Sequence, residues 1–165
     1  LTGLVLAFSA AGSKNITIRL DQLKSKPYID LTLQVMKDFG LNTPVHQDYN
    51  SFYFEKDNSL TRPQDMEYTI SGDWSGAAFL LVVGAINGSI SLRSLDVFSG
   101  QADKAVLQAL MQSEAHISIR EHQIDVSEGR LQPFHFNAID APDLFPPFAA
   151  LPGFCNGTSG IEGER

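Results

Sequence analysis

A chain of 165 residues has the length of one ordinary domain and can hide about 70% of its extended surface on folding. With 43% hydrophobic and 19% charged residues it falls outside the disordered class, and its net charge of −7, from 12 basic and 19 acidic side chains, argues against nucleic acid and anionic membranes as partners. A single cysteine, Cys155, excludes an internal disulfide and any multi-cysteine metal site, and points to a reducing compartment, the cytoplasm.

Residues 1–12 are apolar, too short to span a bilayer and without a basic region ahead of them. A buried helix is therefore predicted, with Leu1, Leu4, Val5 and Phe8 on one face and Gly12 as its stop. Residues 16–20 alternate apolar and polar, the period of a half-buried strand. Ile29, Leu33, Met36 and Phe39 then recur at helical spacing as far as Gly40. Ser25 is the expected N-cap of that helix, and Pro27 suits its first turn, whose amides have no acceptor within the helix. One or two strands are predicted over 45–55, residues 57–59 read as a turn, and the polar stretch 59–64 with Pro63 reads as a linker.

Beyond the linker the pattern restarts. Tyr68-Thr69-Ile70 is predicted as a strand, Gly72-Asp73 as a turn, and 77–86 as an apolar helix buried on most sides. A strand follows over 89–95, then a helix over 105–111 with Val106, Leu107, Leu110 and Met111 inward. Residues 116–120 and 123–126 form a hairpin-like pair, 134–136 a further strand, 144–154 a proline-interrupted helix and 158–161 a last extended piece. The second half thus reads β-α-β-α-β-β and then starts another β-α-β, while the first half reads α-β-α-β-β, the same unit without its first strand. This is an α/β (α+β) pattern built from two coarse structural copies. A chain that opens inside a helix and stops in the polar tail Gly160-Ile161-Glu162-Gly163-Glu164-Arg165 is expected to be a piece of something larger.

No standard local motif for dinucleotide, phosphate-loop, zinc-protease or nucleophile-elbow chemistry is present. His46, His116, His122 and His135 are scattered without ligand spacing, and no metal or cofactor is expected. Cys155, in Pro152-Gly153-Phe154-Cys155, reads as a small buried hydrophobe. Two features offer more. Ser25-Lys26-Pro27-Tyr28-Ile29-Asp30 sets a hydroxyl, an ammonium and a phenol at a helix start, where amides and dipole favour an anion; the plainer account is a cap and a packed ring. In Asp140-Ala141-Pro142-Asp143, the second aspartate either caps the following helix or accepts a proton from a substrate hydroxyl.

Read together, Ser25-Lys26-Pro27-Tyr28-Ile29-Asp30-Leu31-Thr32-Leu33 and Met36-Lys37-Asp38-Phe39-Gly40 closely resemble the SKPYIDxTLxxMxxFG stretch of the 5-enolpyruvylshikimate-3-phosphate synthase family. Ile70-Ser71-Gly72-Asp73-Trp74-Ser75-Gly76-Ala77 is similar to that family's EGDxSSAS turn, Ala141-Pro142-Asp143 to its Pro-Asp, and Leu1-Thr2-Gly3-Leu4 to the helix after its Ser-Ser-Gln motif. Trp74 and Gly76 depart from the family turn, Ser99-Gly100-Gln101-Ala102-Asp103 is an altered form of its SxQGD, and Pro146, Pro147 and Pro152 break a helix that is usually smoother.

The resemblance implies two similar domains of βαβαββ units, an inside-out α/β barrel fold, closing over substrate. Residues 1–66 would be the last unit of one domain, lacking its first strand, and 67–165 the first units of the second. It implies transfer of the enolpyruvyl group of phosphoenolpyruvate to the 5-hydroxyl of shikimate 3-phosphate, by a monomer without cofactor. Ser25 and Tyr28 would bind shikimate 3-phosphate and Asp143 would be the catalytic proton acceptor. The family's other substrate-binding elements fall outside these residues, which together with the charge of −7 implies that the chain alone is inactive. The sibling transferase acting on UDP-N-acetylglucosamine lacks the Ser-Lys-Pro-Tyr-Ile-Asp sequence. A non-catalytic α/β binding module is the alternative of a different class.

Overall fold

A computed structural model describes residues 1–55 and 65–163, and the chain divides into two compact units, Leu1–Thr69 and Ile70–Arg165. The turn expected at 57–59 and the linker expected at 59–64 lie outside the described residues.

The first unit contains helix α1 (Thr2–Ala10), strand β1 (Ile16–Arg19), helix α2 (Lys26–Asp38) and strand β2 (Ser51–Phe54). β1 and β2 are antiparallel with Ile18 opposite Phe52, and Val45 forms a single antiparallel bridge to Tyr53 on the other edge of β2. The three-and-four spacing of Ile29, Leu33 and Met36 turns one stripe of α2 inward. The two-residue period of Phe52 and Phe54 does the same for β2, and these five close a core with Val5 and Ile18. On α1 the expected face is only partly covered: Val5 is buried, Leu1 and Phe8 are half-buried, and Leu4 is 51% exposed.

The second unit runs through α3 (Trp74–Ile86), β3 (Ser89–Arg93), a 3-10 turn (Ala102–Ala105) leading into α4 (Val106–Gln112), β4 (His116–Arg120) and β5 (Gln123–Ser127). It continues with β6 (His135–Asn137), α5 (Phe145–Ala150) flanked by 3-10 turns (Pro142–Leu144 and Leu151–Phe154), and β7 (Gly160–Glu162). The sheet order is β3-β5-β4, all antiparallel, with Ile90 and Ile117 on either side of Val126. β6 and β7 pair in parallel, which requires a crossover, and α5 with its flanking turns supplies it. Pro146 and Pro147 fall in the first turn of α5, where a missing amide hydrogen breaks no helical bond. Residues 142–154 therefore form a short α-helix between two 3-10 turns.

Both units share one plan. The order first strand, last strand, middle segment is β1-β2-Val45 in one and β3-β5-β4 in the other, with a helix ahead of the first strand and another after it. Each unit therefore shows the α-β-α-β-β portion of the predicted repeat.

Three expectations fail. Tyr68-Thr69-Ile70 is not a strand: the Tyr68 ring packs on Phe39 at 5.1 Å, Ile70 is 87% exposed, and no strand among the described residues pairs with them. Met111 is 53% exposed instead of inward, although Val106, Leu107 and Leu110 of the same helix are buried as expected: no neighbour among the described residues covers the strip of α4 that carries it. α3 buries a stripe of Trp74, Ala77, Ala78, Leu81, Val82 and Ala85 but leaves Phe79, Leu80 and Val83 about half-exposed. A methyl group at Gly84 would stand 3.2 Å from the Ile90 Cβ, so that glycine sets how closely α3 lies on the sheet.

Candidate substrate-binding segment and acidic turn

The start of α2 is not built as a capped helix. Ser25 occupies the N-cap position, yet its backbone is left-handed (φ 55°, ψ 44°) and its side chain makes no capping hydrogen bond, which corrects the expectation of a serine cap. A conventional N-cap sits in the extended region, and only there does its hydroxyl reach back to the next amides. In the left-handed conformation that geometry is lost, and the half-buried hydroxyl is not consumed by the helix it precedes. The Ser25 carbonyl accepts the Tyr28 N–H at 3.2 Å, closing the first turn, and the Thr32 hydroxyl donates to the Tyr28 carbonyl at 2.7 Å. Ser25 and Tyr28, both half-buried, thus stand about one helical turn apart.

Lys26 and Asp30, four residues apart on the neighbouring strip of α2, are both engaged by Tyr49. The Lys26 ammonium lies 5.4 Å from the centre of the Tyr49 ring, and the Tyr49 hydroxyl lies 2.9 and 2.7 Å from the two Asp30 carboxylate oxygens. His46 packs between Tyr49 and Phe52, with ring centres 4.5 and 4.8 Å away, and Phe52 is fully buried.

In the second unit Asp143 is the middle residue of the turn Pro142–Leu144 and is exposed. The Leu144 N–H donates to the Ala141 carbonyl at 3.1 Å, and Ala141 and Leu144 are both buried in the core, so the carboxylate rides on a turn anchored at either end. No side chain caps α5, so Asp143 is not the helix cap that one reading of the sequence allowed. Ser25 and Tyr28 are brought together within the first unit; Asp143 belongs to the second.

The Gly72–Gly76 region is a second ordered helix start. Asp73 accepts the Ser75 and Gly76 N–H groups at 3.0 and 3.1 Å, capping α3. The Gln101 side chain bridges the turn, its Oε1 accepting the Trp74 N–H and its Nε2 donating to the Gly72 carbonyl, each at 2.9 Å. The fully buried Trp74 donates its indole N–H to the Asp96 carbonyl at 3.0 Å. Glycine suits both ends: a methyl at Gly72 would run into the Ser94 carbonyl oxygen, and one at Gly76 would stand 2.8 Å from the Asp73 carboxylate. The departures Trp74 and Gly76 therefore belong to a locally consistent turn, and Gln101 serves as its brace. Cys155 is half-buried with its thiol 3.4 Å from the Leu151 carbonyl, and burial pushes its pKa up, as suits a packed thiol.

Sequence reasoning missed Tyr49, and it noted Gln101 only within the altered Ser99–Asp103 motif, not its bracing role. Tyr49 stands in Asp48-Tyr49-Asn50, whose composition reads as an ordinary turn, and Gln101 acts through an amide that fits many settings. Neither carried a periodic signal. Among the described residues no helix is long and apolar enough to cross a membrane, and no group of three or more His, Cys, Asp or Glu side chains could hold a metal ion.

Comparison with known proteins places the chain. The family model for EPSP synthase (3-phosphoshikimate 1-carboxyvinyltransferase) matches residues 1–165. The 3-phosphoshikimate 1-carboxyvinyltransferase of Pyrococcus furiosus is 30% identical over 164 residues, covering 99% of this chain and 39% of that protein. The enzyme of the same name from Methanosphaera stadtmanae is 34% identical over 148 residues, covering 84% and 33%. Among solved structures, EPSP synthase from Acinetobacter baumannii superposes with a TM-score of 0.70 at 18% identity, over 96% of this chain and 36% of that one. The enolpyruvyl transferase NikO from Streptomyces tendae gives 0.68 at 17%, over 98% and 38%. At such identities the structural likeness speaks for the fold, which is that of the enolpyruvyl transferases. The chain spans 39% and 33% of the lengths of the two curated relatives. Matched by the family model from its first residue to its last, the chain belongs to the EPSP synthase family.

Proposed function

We propose that this chain supplies part of the machinery that transfers the enolpyruvyl group of phosphoenolpyruvate to the 5-hydroxyl of shikimate 3-phosphate, releasing phosphate. The observation that carries the reading is the Ser25–Asp30 segment, where a family-specific sequence coincides with a helix start whose serine hydroxyl is not spent on capping. Ser25 and Tyr28 bind shikimate 3-phosphate in this reading: a helix start offers amide donors and a favourable dipole to an anion, and the hydroxyl and phenol add directional contacts. Asp143 accepts the proton that the 5-hydroxyl loses as its oxygen attacks the enolpyruvyl carbon, while an acid protonates the methylene; breaking the C–O bond to phosphate in the resulting adduct, with loss of a proton from its methyl group, then restores the double bond and releases phosphate. A solvent-exposed carboxylate on a turn anchored at either end is suited to that task, because the turn fixes where it stands.

Residues 1–66 are read as the last βαβαββ unit of one domain and 67–165 as the first units of the next. The enzyme is read as a cytoplasmic monomer that uses no cofactor. In a full-length synthase carrying this sequence, Asp143→Asn lowers turnover by about 10²- to 10⁴-fold, measured as phosphate release from phosphoenolpyruvate and shikimate 3-phosphate. Unchanged turnover would remove Asp143 from the reaction. The 165-residue chain by itself, at about two fifths of the relatives' length, shows no turnover in the same assay; steady phosphate release from it would contradict the division of labour proposed.

A further inference from the structure

We propose that Tyr49 is a positioning residue for shikimate 3-phosphate binding: it fixes the first turn of α2, and with it Ser25 and Tyr28, by holding Asp30 through its hydroxyl and Lys26 through its ring. The inference rests on the reading of Ser25 and Tyr28 as substrate contacts and adds to it a residue from outside the family-specific segment.

Three observations support it. Tyr49 keeps a left-handed backbone (φ 60°), a conformation that a bulky residue holds only when its surroundings over-determine it. In that conformation one side chain serves two residues of the helix start at once, with its hydroxyl 2.9 and 2.7 Å from the Asp30 oxygens and its ring centre 5.4 Å from the Lys26 ammonium. The support behind Tyr49 is well packed. His46 and the fully buried Phe52 carry its ring down to the core, and the next residue is pinned twice, by the Asn50 N–H to Asp48 at 3.0 Å and by the Leu20 N–H to the Asn50 carbonyl at 2.8 Å. The left-handed Ser25 directly precedes the helix so held, and its own side chain contributes no cap that could steady it. A hydroxyl presented without a local tether keeps a defined direction only if the turn that carries it is fixed from elsewhere. Tyr49 reaches both ends of that turn, Lys26 through its ring and Asp30 through its hydroxyl.

The experiment compares Tyr49→Phe and Tyr49→Leu with the unaltered protein in a full-length synthase carrying this sequence. It measures the affinity for shikimate 3-phosphate by titration calorimetry, the KM for each substrate, kcat and the melting temperature. Tyr49→Phe keeps the ring beneath Lys26 and loses the bond to Asp30; it raises the Kd and KM for shikimate 3-phosphate by about 3- to 10-fold, as expected for one charge-assisted hydrogen bond. Tyr49→Leu loses both contacts and raises them further, with Tyr49→Phe as a partial rescue. The KM for phosphoenolpyruvate and kcat stay within about twofold of the unaltered values. Asp30→Asn combined with Tyr49→Phe weakens binding by less than the product of the single effects, since both remove one contact. A purely structural role would lower the melting temperature and leave the Kd for shikimate 3-phosphate unmoved, and that result in Tyr49→Phe overturns the proposal. Ser25→Ala in the same protein separates the two levels. If Ser25→Ala weakens binding and the Tyr49 variants do not, the positioning role alone fails; if Ser25→Ala binds as the unaltered protein does, the reading of the site fails.

Discussion

Helices α2 and α3 are each 13 residues long and each follows a short polar residue, but they begin in opposite ways. Asp73 is extended (φ −83°, ψ 110°) and spends both carboxylate oxygens on the amides of α3, whereas Ser25 is left-handed and spends nothing on the amides of α2. The surroundings differ in the same sense. The start of α3 is tied by Gln101 and by a fully buried Trp74, so its polar groups are consumed within the protein. The start of α2 is held from its flank, by Tyr49 on Lys26 and Asp30, and the Ser25 hydroxyl is left out of that arrangement. A helix start whose capping is complete serves stability. One that is steadied sideways and left uncapped keeps its serine hydroxyl out of the helix's own hydrogen bonds.

The contrast is sharpest where the internal bonds are strongest. Trp74→Ala removes a fully buried ring and an indole hydrogen bond, and should lower the stability of the second unit by about 3–5 kcal/mol in denaturant unfolding. A loss below about 1 kcal/mol would mean that the start of α3 is not held as described. Asp73→Ala, which removes a working cap, should cost about 1 kcal/mol. Ser25→Ala at the matching position of α2 should change stability by less than about 0.5 kcal/mol, because no cap is lost there. Equal losses for the two would erase the comparison.

The smallest effect concerns acid. Asp125, on the solvent face of β5, has its pKa lowered chiefly by the Ser91 hydroxyl, then by the Gln123 amide, with Arg120 and Arg93 adding to it. A carboxylate with a depressed folded-state pKa lends stability above its unfolded value, and that stability fades as the pH falls through the lowered one. Ser91→Ala should therefore flatten the loss of stability of the second unit between neutral and strongly acidic pH, as seen in melting curves. An identical acid profile would show that this bond contributes nothing.

Much of this architecture was legible because it rests on periodicity. The inward stripe Ile29, Leu33 and Met36, the alternation of Phe52 and Phe54, and the hairpin of β4 and β5 all follow from spacing that only one secondary structure satisfies. What escaped depends on partners distant in sequence. Tyr68-Thr69-Ile70 has strand-like residues, but a strand exists only where another pairs with it. The exposure of Leu4, Val83 and Met111 likewise depends on which neighbours cover a helix face, which the helix's own period does not encode. At the site, Ser25, Tyr28 and Asp143 could be singled out as candidates from the segments that contain them. The left-handed turn at Ser25 could not, because it is imposed on a residue whose intrinsic preference is to cap.

The central claim is that the uncapped start of α2 binds shikimate 3-phosphate. Its most direct test is calorimetric titration of shikimate 3-phosphate into a full-length synthase carrying this sequence, with and without Ser25→Ala. The account predicts about tenfold weaker binding by the variant, as for the loss of one hydrogen bond to a charged ligand, at an unchanged melting temperature. Equal affinity for the two proteins would contradict it.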